Sequence, residues 1–199
     1  MPTSRDTSHS RHLNSTGPIS RCSMKLNRGI YRSTSRFTQE SVVLEFEHII
    51  QVNDPTNGEL PMLTRSQLWE GLVLRARRPD RFNSSLQVTT KEYAEDEFER
   101  VIDVGDAKFY ELVMLYQDEK IHTQTMEEYD QIDAESVTHL EEPEEGYLFV
   151  RFSYRREIDE DGSVDVSEHL KSAYLETDRD AIALIRMFAE SGLFGESID

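Results

Sequence analysis

Between residues 86 and 156 the chain is a succession of short alternating runs separated only by turn-length gaps: Leu86 to Lys91, Phe98 to Val104, Lys108 to Tyr116, Lys120 to Met126, a weaker one near Ile132 to Leu140, and Tyr147 to Arg156. Parallel neighbours need a crossover of about a dozen residues or more, and none of these gaps holds a helix of that size, so the runs must pair antiparallel as a meander. Gly105-Asp106 suits a tight hairpin turn of the Gly-X kind. A further strand precedes them. In "VVLEFEHIIQV", Val42, Leu44, Phe46, His48, Ile50 and Val52 share one face, while Glu45, Glu47 and Gln51 fall mostly on the other. About seven strands result, the first cut off from the rest by "NDPTNGELP", a loop with an Asn57-Gly58 turn signal.

Two helices frame the meander. In "LTRSQLWEGLVLRARRPDRF", residues 63–82, Thr64 and Gln67 have capping-box spacing, and Leu63 and Leu68 occupy the two positions of a hydrophobic staple. Leu68, Trp69, Leu72, Val73 and Ala76 recur at helical spacing, and Pro79 ends the helix. Arg65, Arg75, Arg77, Arg78 and Arg81 fall on its flanks and exit, where the last ones complement the helix dipole. The second helix is longer, roughly 24 residues by its single stripe of Val166, Leu170, Ala173, Tyr174, Thr177, Ala181, Leu184, Ile185 and Phe188. Gly192 suits the left-handed position after its end, with Leu193 folding back as the apolar partner.

Charge narrows the function classes. The formal net charge is −17, from 39 acidic and 22 basic residues, and it is unevenly spread. Residues 1–40 hold seven Arg or Lys against Asp6 and Glu40, so the rest of the chain is far more acidic than the average. Such a surface repels phosphate backbones, and no nucleic-acid partner is expected. No apolar run approaches the roughly 20 residues that span a bilayer. The single cysteine, Cys22, lies among those first residues, so the body can hold no disulfide. Residues 1–40 are rich in Ser, Thr and Arg and poor in large apolar groups, and are expected to form a disordered arm, with the domain at 41–194 and a tail at 195–199. The arm's composition also fits a mitochondrial transit peptide, but Gly17, Pro18 and Gly29 interrupt any amphipathic helix; the expectation is a cytoplasmic protein with an inert extension.

A strand, a helix, six further strands and a long C-terminal helix make an α+β helix-grip arrangement, in which a curved antiparallel sheet wraps around the last helix. The motifs "VND", "LTRSQLWEGLVLRARRPDRF", "FERVIDVG", "GYLFVRFSY" and "AYLETDRDAIALIRMFAESG", in that order, resemble the acetylaranotin-biosynthesis-like (AtaL-like) family of the START-like, birch-pollen-allergen-like (SRPBCC) superfamily. The resemblance covers residues 41–194 and implies a hydrophobic ligand cavity between sheet and helix. Some superfamily members carry lipids or hormones and others cyclise polyketides, so it fixes neither activity nor catalytic residues.

Signatures of other chemistry are missing from the sequence: there is no phosphate loop, no G-x-S-x-G elbow and no C-x-x-C pair. The six histidines lack ligand spacing, and neither metal nor cofactor is expected. Two residues break the phase of their strands. His48 shares parity with Phe46 and Ile50, and Arg100 with Phe98 and Ile102. In a dry cavity His48 could serve as a general base, and Arg100 could fork onto a ligand carboxylate or enolate. The alternatives are a core histidine bonded to backbone or tyrosine, and an arginine paired with a sheet carboxylate such as Glu111. Tyr110 and Tyr154 could point phenols inward, and Trp69 could close the cavity. Candidate ligand contacts are therefore Phe46, His48, Trp69, Arg100, Tyr110, Leu112, Phe152, Tyr154, Leu184 and Phe188; His48 and Arg100 are the catalytic candidates if the protein is an enzyme. Two functions stay open: binding of a small hydrophobic or aromatic metabolite, or acid–base modification of a polyketide- or peptide-derived intermediate.

Overall fold

The computed structural model describes residues 41–58, 60–105, 107–159 and 164–194. The expected arm (1–40) and tail (195–199) lie outside the described residues. Strand β1 (Ser41–Gln51) leads through a loop to helix α1 (Arg65–Arg77) and a 3-10 turn at Pro79–Arg81. Strands β2 (Gln87–Glu92), β3 (Glu97–Asp103), β4 (Lys108–Tyr116), β5 (Lys120–Thr125), β6 (Ala134–Glu141) and β7 (Phe149–Asp159) follow, and helix α2 (Val164–Glu190) closes the order. The strands form one sheet in the order β1-β7-β6-β5-β4-β3-β2, every pair antiparallel. The expected meander is thus present, with β1 docked on the last strand. Together with α2 it makes the helix-grip fold. Among the described residues no helix is long and apolar enough to cross a membrane.

Local chemistry places α1. The Thr64 hydroxyl accepts from the Gln67 backbone N–H at 3.1 Å, and the Gln67 side chain accepts from the Thr64 N–H at 2.9 Å, completing the capping box. Leu63 and Leu68 are both buried, as a staple requires. The loop before α1 is pinned by Asn53, which is buried. Its amide donates to the Leu63 carbonyl at 2.7 Å and accepts from the Leu63 N–H at 3.1 Å. Asn53→Ala would leave both backbone groups of Leu63 without that partner, and should cost about 1–3 kcal/mol. The check is a lower midpoint of urea unfolding at unchanged slope; an unmoved midpoint would show that the pin is dispensable.

At the other end of the chain, α2 finishes with the paired bonds of a Schellman motif. Leu193 N–H donates to the Phe188 carbonyl and Gly192 N–H to that of Ala189, with Gly192 at φ +75°. The apolar partner differs from expectation. Leu193 is exposed, and it is Phe194 that is buried, edge-on to Phe188. Val166, expected in the stripe, is also exposed. The core lies where α1 and α2 meet the inner sheet face, around Leu68, Leu72, Phe98, Val113, Phe152 and Ile185.

Sheet register corrects one strand. Phe98 stands opposite Val113, and Arg100 opposite Glu111, so Phe109, Glu111 and Val113 of β4 share the inner face with β3's inward residues. Tyr110 and Leu112, expected to point inward, lie on the opposite parity, with Tyr110 stacked on Tyr129 at 3.7 Å between ring centroids. "FYELVML" is apolar on both parities, and the cross-strand partner decides between them. Glu111 is admitted to the inner face because Arg100 is there to neutralise it.

Candidate functional site

A cavity of about 630 Å³ lies between the inner sheet face, the end of α1 and the middle of α2. Leu72, Phe82, Phe109, Ile121 and Ile132 supply apolar wall; Arg75, Arg100, Glu111, Tyr154, Arg156 and Tyr174 supply polar wall. Small residues make the room. From α2 only Ala173, Thr177 and Ala181 reach the cavity beside Tyr174 and Asp180, and from β5 and β6 come Thr123, Thr125, Ala134, Ser136 and Thr138.

Behind one wall is a buried polar knot centred on Asp178, which is fully buried on α2. Its Oδ1 accepts from Arg75 of α1 at 2.5 Å, and its Oδ2 accepts from the Tyr154 hydroxyl of β7 at 2.7 Å. Nε2 of His48, on β1, lies 2.8 Å from the same Oδ2. Since the carboxylate accepts, Nε2 carries the proton, and Nδ1 is buried without a partner among the described residues. The His48 ring is stacked between Phe46 and Phe152, at centroid distances of 5.4 and 5.2 Å. Register explains the grouping: Phe46 faces Tyr154 and His48 faces Phe152 across the β1–β7 pair. Tyr154 in turn stacks on Tyr174 of α2 at 4.1 Å.

The electrostatics make this knot a poor acid–base engine. Burial pushes the Tyr154 phenol well above the ordinary phenol range; Arg75 opposes that shift and Asp178 adds to it. Tyr154 therefore stays protonated at neutral pH. Burial is the largest single influence on Arg75 and works against its cation, yet the charges of and hydrogen bonds to Asp178 and Tyr154 together outweigh it, and the guanidinium is held above its usual range.

The expected site residues scatter accordingly. Arg100 and Tyr154 line the cavity. Phe46, His48 and Phe152 have the expected inward parity but lie outside its wall, in the stack beside Asp178. Trp69 is a correction: it is buried in the core away from the cavity, its indole N–H donating to Gln117 at 3.2 Å. Leu184 and Phe188 are half-buried on α2 and do not reach the cavity either, although Phe188 meets the lining residue Phe82 edge-on at 5.6 Å. Arg100 is engaged by protein on two sides, donating from Nε to Glu111 at 2.6 Å and from Nη1 to the Ala76 carbonyl at 2.5 Å. Of the arginines around α1, Arg65, Arg75, Arg77 and Arg78 all donate to carboxylates, Arg65 and Arg77 to carbonyls as well.

Asp178 and Arg156 are the residues that sequence reasoning misses. Asp178 follows Tyr174 and precedes Ile182 by four residues each, which puts an acid inside the apolar stripe. That phase was the available signal. Among the described residues no cluster of His, Cys, Asp or Glu could hold a metal ion.

The profile of the family described as acetylaranotin biosynthesis cluster protein L matches residues 50–192. No curated protein matches the sequence. Among solved structures, the di-domain aromatase/cyclase StfQ from the steffimycin biosynthetic pathway is similar at 13% identity and TM-score 0.56, covering 75% of this chain and 52% of StfQ. The chain thus spans about half the length of that relative. Norcoclaurine synthase from Thalictrum flavum, in complex with dopamine and hydroxybenzaldehyde, is similar at 13% identity and TM-score 0.54, covering 90% of this chain and 100% of the synthase. The ZhuI aromatase/cyclase from Streptomyces sp. R1128 is similar at 11% identity and TM-score 0.53, covering 77% and 98%. At these identities the likeness is one of fold.

Proposed function

The chain belongs to the acetylaranotin biosynthesis cluster protein L family, and from that premise we propose that it binds a small, largely aromatic metabolite of a secondary-metabolite pathway in the cavity between the sheet and α2. The observation that carries the reading is the cavity itself: about 630 Å³, within the usual range for small-molecule sites, with an apolar side at Leu72, Phe82, Phe109 and Ile121 and a polar side at Arg100, Glu111, Tyr154 and Arg156. The similar aromatase/cyclases and the synthase seen with aromatic ligands support it as relatives in fold.

Binding is favoured over acid–base catalysis on this fold by one specific arrangement. Of the two catalytic candidates, His48 stands outside the cavity with Nε2 committed to Asp178, and Arg100 is committed to Glu111 and Ala76. A general base must reach the proton it removes, directly or through one water. Tyr154, whose O–H is donated to Asp178, is left only to accept from a ligand hydroxyl or N–H.

The test uses 2-naphthylmethanol, an uncharged bicyclic probe, by isothermal titration. Micromolar binding to the wild-type protein is expected. Thr177→Trp projects an indole from α2 into the cavity and should weaken it about tenfold, roughly 1.4 kcal/mol, with unchanged melting. Wild-type affinity in Thr177→Trp would place the probe elsewhere and remove this reading.

A further inference from the structure

Among the basic side chains on the cavity wall, Arg156 has no counter-ion. Arg75 is paired with Asp178, Arg100 with Glu111, and Arg155, which borders the cavity from the opposite parity of β7, with Asp133. Among the described residues no side-chain hydrogen bond or ion pair reaches the Arg156 guanidinium, and its Nε is shut off from solvent without an acceptor. The sheet provides none. The residues opposite Arg156 are Leu44 on β1 and Ala134 on β6, both without a charge to offer, whereas Arg100 has Glu111 directly across from it. Asp180, the acid that α2 brings to the same cavity, is exposed and makes no ion pair with it.

A buried N–H donor left without an acceptor costs about 1–3 kcal/mol. A guanidinium offers a planar fork that matches a carboxylate with two parallel bonds. Arg156 follows Tyr154 by two residues on β7, so both side chains lie on the same face of the sheet, and the two stand together in the polar part of the cavity wall with Tyr174. Apolar wall comes from Leu72, Phe82, Phe109 and Ile121.

We propose that Arg156 is the anchor for a carboxylate on the ligand, so that the metabolite bound here is an aromatic or largely apolar acid. The proposal rests on the cavity-binding reading above and names the class of compound it takes. It replaces Arg100, the anchor expected from sequence, with a residue whose hydrogen-bonding capacity is unspent. The apolar body then lies against α1 and the β4–β5 wall, with the acid toward Arg156.

The experiment compares 2-naphthoate with 2-naphthylmethanol, which have the same ring system and differ in charge, by titration against the full chain. The wild-type protein should bind the acid about tenfold more tightly. Arg156→Gln should erase that preference by weakening the acid alone, and Arg156→Lys, which keeps the charge without the fork, should retain part of it. Melting should not fall in either, since the Arg156 side chain bonds to nothing among the described residues. Equal affinities for acid and alcohol in the wild type, or a preference that survives Arg156→Gln, overturns the anchor and leaves the cavity reading standing. Failure of both probes to bind overturns the two together.

Discussion

Asp178→Ala is expected to remove about 3–5 kcal/mol of folding stability, the usual consequence of stripping one partner from a buried ion pair. In a domain of this size that amounts to a fall of roughly 6–20 °C in melting temperature. The acid is fully buried and receives Arg75, Tyr154 and His48 at 2.5, 2.7 and 2.8 Å. Its loss leaves a cation, a phenol and an imidazole N–H facing one another with no acceptor. The size of the effect comes from those orphans, more than from the value of the bonds themselves. Two comparisons separate the causes. Asp178→Asn keeps an acceptor while removing the charge, and should fall between wild type and alanine. A triple replacement, His48→Leu with Arg75→Met and Asp178→Leu, should recover much of the loss, because a well-packed apolar cluster can equal a buried charge network. Calorimetric melting provides the measurement. If Asp178→Ala melts within 2 °C of wild type, about 1 kcal/mol or less, the knot contributes little and α2 is held mainly by its apolar face.

Gly71→Leu should abolish folding, and Gly71→Ala should measure how tightly the two helices cross. Gly71 sits on α1 against α2, and a Cβ built there would lie 2.4 Å from Cγ2 and 2.8 Å from Cγ1 of Ile185, itself fully buried. Alanine gains about 0.5–1 kcal/mol in helix propensity over glycine. Overpacking costs typically about 1–3 kcal/mol, and Ile185 is a stiff β-branched neighbour with little room to yield. The clash should win, for a net loss near 1–2 kcal/mol. Combining Gly71→Ala with Ile185→Val should lose less than the sum of the single changes, since the two residues share one contact. A Gly71→Ala protein more stable than wild type would show that the helices move apart freely and that the crossing is not a close one.

Much of the architecture was legible because it is written in short-range chemistry. The capping box of Thr64 and Gln67, the staple of Leu63 and Leu68, the stop at Pro79 and the positive φ of Gly192 all depend on residues within a few positions of one another. Strand order followed from turn-length gaps, and β1, β3 and β7 kept the inward parity read from their alternation. Where a strand is apolar on both faces, as in β4, alternation carries no information, and Tyr110 and Leu112 fall on the outer side rather than the inner one.

The candidate site was legible only in part, for a related reason. His48 and Arg100 stand out as charged or polar residues in an apolar phase, and each does carry a buried polar contact. Their partners are far away in sequence: His48 meets Asp178 across 130 residues, and Arg75 meets it across 103. Asp178 lies in "ETDRD", where only its helical phase with Tyr174 and Ile182 sets it apart from its solvated neighbours. Arg156 similarly follows Arg155, and nothing local distinguishes the arginine that pairs with Asp133 from the one whose Nε is left without an acceptor.

Helix and strand identity, the antiparallel order and the ends of α1 were set by the sequence itself, because local hydrogen bonding and hydrophobic period are properties of neighbouring residues. Which acid is buried, which arginine is neutralised, which is left with an unmet donor, and whether Trp69 faces a ligand or the core were decided by the tertiary structure. Those outcomes depend on cross-strand register and helix crossing, where a displacement of one residue exchanges a partner for solvent.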